Sequence, residues 1–419
     1  MEINSSLTQA WWNKLSSPWK ELIILNIELA EIYTKNGSVY SYGTLKHTYE
    51  VFTGKKFKAP SNPNVPAILN KLNLLESFYI NEHYSQIIYN LTPLAKLHNL
   101  TTLDIEDDTI DISFFHNPIG LSNFTSSGQP AKQVDLSPIS SLTNLTKLEV
   151  TDRISNIEYL SNLTNLETLY LTNYSTVDIS PISNLTNLKH LTLNIDSCDL
   201  LPIKNLTKLE RLIISDSDQD LSPLSSLSNL KSLKLQFTPF DLEPIQYLSN
   251  LELLNIDTSK PYLEQLNDLP PIYLPPINLS PITQLKNLKE LHLHGNESAL
   301  TPIASMNNLK FLYLSNNKSE LGIINTMKEL QILDLQNNKA ETEPISKLIK
   351  RIIDNGGEVI TDSIYDDVDL DDVDDTEAGG LWREMEDDNK LREEKLKEIE
   401  ENLKQSIIDS FGHQDEITN

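Results

Sequence analysis

The stretch PISNLTNLKHLTL, residues 181–193, decides the fold of this 419-residue chain, because it is one copy of a phrase that recurs along most of it. The phrase reads P-[IL]-x-x-L-x-N-L-x-x-L-x-L. Neighbouring copies are PISSLTNLTKLEV from Pro138, PIKNLTKLERLII from Pro202, PLSSLSNLKSLKL from Pro223 and PIQYLSNLELLNI from Pro244. Others are PLAKLHNLTTLDI from Pro93, PITQLKNLKELHL from Pro281 and PIASMNNLKFLYL from Pro302. Copies starting at Tyr159 and Ile323 lack the proline, a weaker one begins near Ile68, and Pro344 opens a last half-copy. The uninterrupted starts at 138, 159, 181, 202, 223 and 244 lie 21 or 22 residues apart, and those at 281, 302, 323 and 344 lie 21 apart. A fixed period of this length is the signature of a stacked repeat architecture.

The spacing dictates the shape of one repeat. In Leu-x-Leu the two apolar side chains share one face of a short strand, because side chains alternate along it. The Pro-Ile-x-x-Leu half turns the chain back as a short tight helix, and proline suits a first helical position, where no amide donor is needed. A single repeat cannot bury its leucines, so neighbours must stack into a continuous core. The predicted core ladder is Leu148, Val150, Leu169, Leu171, Leu191, Leu193, Leu212, Ile214, Leu233, Leu235, Leu254, Ile256, Leu291, Leu293, Leu312, Leu314, Leu333 and Leu335.

These blocks resemble leucine-rich repeats of the short bacterial, internalin-like subclass, over residues 66 to 361. The resemblance implies an α/β solenoid: a curved parallel sheet on a concave face, short helical turns on the convex face, and a role in binding a protein partner. One departure matters. The family places asparagine three residues after the second strand leucine, and here only Asn296, Asn317 and Asn338 occupy that place. The others are Arg153, Tyr174, Asp196, Ser217, Thr238 and Ser259, which predicts a patchy interior hydrogen-bond ladder and an irregular coil in the first two-thirds.

A solenoid needs covered ends. Residues 1–65 read as a helical N-terminal cap, with Trp11, Trp12, Leu15, Trp19, Leu22, Ile23 and Ile27 at helical intervals and Ser17-Pro18 opening a second helix. Cap packing is the simple use of the three tryptophans, and a partner anchor is the other. At the far end, Pro344 to Asp354 reads as a helix with Ile345, Leu348, Ile349, Ile352 and Ile353 inward, stopped by Asn355-Gly356-Gly357 and followed by a last strand at 358–361. Two surplus stretches, near 107–134 and 258–279, interrupt the step. The first has room for a degenerate copy around Ile110 and Ile112. Both follow a strand, so both leave the same sheet edge, and extra loops often carry function. Beyond the solenoid, 362–377 reads as an acidic flexible linker, 378–410 as an amphipathic helix and 411–419 as a disordered end. That helix has three open uses: docking back on the solenoid, self-association, or binding a partner.

Charge narrows the partners. The chain carries a formal −26. Residues 362–419 hold 21 acidic and 6 basic side chains, a net −15, which leaves −11 for the first 361 residues. Such a surface repels phosphate backbones and anionic lipid, so neither nucleic acid nor membrane is an expected partner. The single cysteine, Cys198, excludes an internal disulfide framework and a cysteine metal site. The sequence from Met1 shows no signal peptide and no span long enough for a bilayer, which predicts a cytoplasmic location.

No catalytic centre is expected, and no cofactor. The residues alternating with the core leucines face the concave side and include Asn255, Asp257, Ile332 and Asp334. Tyr170, His190, Arg211, Lys234, Glu290, His292, His294, Phe311 and Tyr313 are the candidate partner-binding set, with His292, His294, Phe311 and Tyr313 at its centre, since aromatics supply interface hot spots. His292, His294 and Glu290 share one strand face and raise a metal-enzyme alternative, which needs ligands from more than one strand. The DVDLDD run from Asp367 fails as a calcium loop, having Asp372 where glycine is needed and Ala378 where glutamate is needed. Asn-Leu-Thr recurs at Asn144, Asn162, Asn184 and Asn205 as part of the repeat, rather than as a set of glycosylation sites. The expected function is a non-catalytic protein-binding scaffold. A regulator or neutraliser of another protein, of the immunity or antitoxin kind, is the more specific alternative.

Overall fold

A computed structural model describes residues 7–36, 45–53, 55–80, 91–105, 134–150, 154–173, 176–195, 198–215, 220–236, 241–258, 277–295, 299–314, 320–336 and 343–361. The expectations for the acidic linker, the C-terminal helix, the ladder positions Arg153, Tyr174, Asp196, Ser217, Thr238, Ser259, Asn296, Asn317 and Asn338, and most of both surplus stretches lie outside these residues.

Four helices open the chain: α1 (Gln9–Lys14), α2 (Ser17–Asn36), α3 (Leu45–Thr53) and α4 (Val65–Leu72). Strands β1 (Ser77–Ile80), β2 (Thr102–Ile105), β3 (Val134–Asp135), β4 (Lys147–Val150), β5 (Ile154–Ser155), β6 (Thr168–Asn173) and β7 (His190–Ile195) follow. Then come β8 (Arg211–Ser215), β9 (Ser232–Gln236), β10 (Leu253–Asp257), β11 (Glu290–His294), β12 (Phe311–Tyr313), β13 (Ile332–Asp334), helix α5 (Ser346–Asp354) and β14 (Glu358–Ile360). Among the described residues twelve strands form one sheet in chain order, with β3 and β5 paired separately. Every pairing is parallel, and Leu169 sits beside Leu191, Leu191 beside Leu212 and Leu212 beside Leu233. Each proline-led half is a 3-10 turn, as at Ser180–Asn184 and Leu201–Asn205.

The predicted ladder is the core. In the coil containing residues 181–193, Ile182, Leu185, Leu188, Leu191 and Leu193 are all buried. Full burial of each such side chain contributes about 1.5–3 kcal/mol, before the ordering entropy is subtracted.

Among the described residues a polar ladder is made by asparagines that precede the strands. The amides of Asn144, Asn165, Asn187, Asn229, Asn250 and Asn287 donate to the backbone carbonyls of His98, Thr143, Thr164, Thr207, Ser228 and Ser249 in the preceding coil, at 2.8–2.9 Å. Ahead of each turn a second device recurs. The carboxylates of Asp135, Asp178, Asp199, Asp220 and Asp241 accept the backbone N–H two residues on, satisfying a donor that the turn leaves free. Before the strands runs a row of alternating charge, with Lys189–Glu167, Lys231–Glu210 and Lys289–Glu252 ion pairs at 2.9, 2.8 and 2.6 Å. Exposed pairs stabilise little, yet a slip of one coil sets like charges together, so the row favours one register.

β2 pairs directly with β4, Leu103 beside Leu148, and the degenerate copy expected around Ile110 and Ile112 lies outside the described residues. One expectation is corrected. Ile353 is half-exposed rather than inward, because α5 turns Leu348 and Ile352 to the core with Ile349 partly covered, and five apolar positions exceed one helix face.

The sheet ends are closed by specific groups. Outside β1, the buried Asn26 amide donates to Tyr79 O at 3.0 Å, and its Oδ1 accepts Tyr79 N–H at 2.8 Å. One side chain thus pairs an edge strand as a further strand would. Trp12 and Trp19 are buried in the same core, Trp19 against Phe78 at 6.2 Å, and Trp11 is partly buried. At the other end Gly356 takes φ +76°, and a Cβ on Gly357 would stand 2.2 Å from Gln331 O, so glycine is required there. Among the described residues no helix is long and apolar enough to cross a membrane.

Asn26→Ala leaves both Tyr79 backbone groups unpaired under an apolar helix. The expected loss is about 1–3 kcal/mol in urea unfolding; an unchanged midpoint contradicts this role for Asn26.

Candidate functional site

The sheet has two faces, and the leucines occupy one. The middle concave row runs Tyr79, Asp104, Glu149, Tyr170, Thr192, Ile213, Lys234, Asn255, His292, Tyr313, Asp334 and Ile360, each beside the next. The nine candidate residues all lie on this face, but they do not form one patch. Tyr170 lies on β6, His190 on β7, Arg211 on β8 and Lys234 on β9, whereas the other five belong to β11 and β12. Five strand steps separate Tyr170 from His292, roughly 24 Å at the usual strand spacing.

On β11 and β12 the side chains engage one another. His292 and Tyr313 are register partners, and their rings stack with centroids 4.0 Å apart and planes 8° apart. His292 Nε2–H donates to Glu290 Oε1 at 2.6 Å. A carboxylate can only accept, so the proton sits on Nε2. His294 lies 5.6 Å from His292, ring centre to ring centre. Phe311 is beside Glu290 in register and half-buried. The cluster is therefore a braced aromatic platform, with ring orientation fixed by packing and one short hydrogen bond.

Its electrostatics follow from half-burial under carboxylates. Burial, with Glu290, Asp334 and Glu358 around it, pushes the Tyr313 hydroxyl up to about 12. Burial lowers His294 against the opposing pull of Asp257, with His292 lowering it further, Asp334 raising it and Lys234 lowering it. His190, whose Nδ1 lies 3.3 Å from Thr168 Oγ1, is lowered chiefly by burial as well.

Among the described residues no group of three or more histidine, cysteine, aspartate or glutamate side chains is arranged to hold a metal ion. Glu290, His292 and His294 stand in one row, and Glu290 already occupies the His292 nitrogen. The Cys198 thiol is 4% exposed, and burial followed by Asp199 pushes it to about 11, so it stays a thiol at neutral pH.

Asp334, one of the alternating positions that face the concave side, also belongs to this end of the sheet. Asp334 is only 8% exposed, with Oδ1 accepting Gln336 N–H at 2.8 Å. Its 21-residue step from Tyr313 made the adjacency readable; its burial depends on the height of the neighbouring side chains.

No protein-family pattern and no curated protein sequence matches this chain. An internalin of Listeria monocytogenes shares the fold, with a TM-score of 0.50 and 19% identity over 86% of this chain and 100% of that one. Internalin C2 of the same organism gives 0.35 and 26% over 51% and 87% of the two chains. A leucine-rich-repeat protein of Leptospira interrogans gives 0.29 and 19% over 71% and 92%. The long parallel sheet with its 3-10 turns is a leucine-rich-repeat solenoid.

The lowered histidines make a pH prediction. Their folded values lie below the ordinary 6.5, so the unfolded chain takes up protons first, and their contribution to stability is lost as pH falls through 6.5. In an NMR titration the imidazoles of His190 and His294 should show midpoints below 6.5; midpoints at or above it contradict the burial described.

Proposed function

We propose that this protein is a non-catalytic binding scaffold that takes a protein partner on the concave face of its solenoid, centred on Glu290, His292, Phe311 and Tyr313. The observation that carries this is the His292–Tyr313 stack, 4.0 Å between centroids, standing half-buried on a sheet whose opposite face is committed to the core. Binding energy concentrates in rigid aromatic anchors, which lose little conformational entropy on contact. A platform held by stacking and by Glu290 is organised before any partner arrives. The net −26 charge disfavours nucleic acid as that partner. Tyr170, His190, Arg211 and Lys234 form a second, more dispersed region of the same face for an extended partner. Whether binding serves to neutralise the partner follows from the partner's identity.

Capture from native cells with mass spectrometry tests the proposal, using wild type beside Phe311→Ala/Tyr313→Ala. Losing two central anchors typically costs each at least about 2 kcal/mol, so a protein captured by the wild type should fall below detection with the variant. Retention of the same protein by a folded variant contradicts the concave-face assignment.

A further inference from the structure

The orientation of the stack has a consequence for what sits beside it. Register partners on adjacent strands that stack face to face must stand edge-on to the sheet. One face of Tyr313 is covered by His292. Its other face therefore turns toward β13, where Asp334 is the paired residue. Aspartate is far shorter than tyrosine, so a slot opens above Asp334 with the tyrosine face as its wall.

The floor of this slot lacks a counter-charge. Asp334 is more than nine-tenths buried, yet its bond is to a backbone amide, and no lysine or arginine pairs with it among the described residues. A buried carboxylate ordinarily has a cation or a fuller set of donors. The surroundings deepen the deficit: the described concave positions of β11 to β14 carry Glu290, Asp334 and Glu358, with His292 and His294 beside them and no lysine or arginine. On the opposite flank of the stack, beside His292, the buried Asn255 Oδ1 also has no donor. By contrast β8 and β9 present Arg211 and Lys234. The aromatic end of the face is thus anionic and rich in acceptors.

We propose that the slot formed by Tyr313 and Asp334 receives a cationic side chain, arginine in preference to lysine, from a linear segment of the protein partner. This rests on the concave-face assignment made above and adds the chemistry of the occupant. A guanidinium is planar, so it lies against the free tyrosine face while directing paired donors to the carboxylate below. An ammonium supplies the charge without the plane. A metal ion is a poorer occupant, since no suitable ligand group exists among the described residues.

A displayed library of random linear peptides, selected on the full-length chain, tests this directly. Enriched sequences are then measured as synthetic peptides against wild type, Asp334→Asn, Tyr313→Leu and the remote exposed control Glu243→Gln. The expected result is an arginine consensus. Citrulline in its place, equally planar but uncharged, and Asp334→Asn should each weaken binding about tenfold or more, as for loss of a charge-assisted pair, with Glu243→Gln unchanged. Glu290→Gln serves as the second charge variant if Asp334→Asn melts early. Peptides that are lost with Tyr313→Leu yet tolerate citrulline overturn the cation assignment and leave the concave face standing. Peptides indifferent to Tyr313→Leu and Asp334→Asn overturn both. Failure to enrich any peptide overturns recognition of a linear cationic segment.

Discussion

The leucines of one coil are buried only when the coils on both sides are in place, and everything else in this structure answers to that constraint. Ile182, Leu185, Leu188, Leu191 and Leu193 span a turn, a bend and a strand, and no single coil closes over them. Stacking solves the interior and creates a problem at each end, where leucines and strand edges face outward. Asn26 answers it at β1 by mimicking a strand with one amide. Helix α5 answers it at β13 and β14, which requires the tight Gly356-Gly357 return. Between the ends, register is held by polar groups: asparagine amides on the preceding coil, aspartates on the next turn, and a row of alternating charge.

The same constraint tells where function can sit. Half of each strand's side chains are consumed by the core, and the turns by their own bonding. The concave rows are left free to vary from coil to coil. They do vary: short polar side chains in the middle, two basic ones on β8 and β9, and then a stacked aromatic pair among carboxylates on β11 to β14. A parallel sheet in strict step turns residues 21 apart into neighbours, so a binding surface is written across the repeats rather than along any one of them.

Much of this was legible in the sequence, for a physical reason. A repeat imposes the same geometry many times, so the Leu-x-Leu positions name the core and the alternating positions name the open face. His292 and Tyr313 are 21 apart, which makes them lateral neighbours before any coordinates are known. What was not legible depends on heights and rotamers. Ring stacking, the Glu290–His292 bond and the burial of Asp334 follow from which side chains rise tallest. The bond from the Asn187 amide to the Thr164 carbonyl likewise depends on how one coil sits on the next. Ile353 was placed inward by counting apolar residues, although a helix in contact along one stripe accommodates fewer. The gap after β2 looked wide enough for another coil, and only the direct pairing of Leu103 with Leu148 shows that it joins adjacent strands.

A partner that engages the aromatic end of the concave face must shield its rings from solvent. Hydroxyl-radical footprinting of the full chain, free and bound to its captured partner, tests it at the level of side chains. His292, Phe311 and Tyr313 should lose reactivity on binding, while Tyr247, 62% exposed on a turn at the other side of the coil, keeps it. Protection of Tyr247 with no change at His292, Phe311 and Tyr313 would contradict that mode of binding.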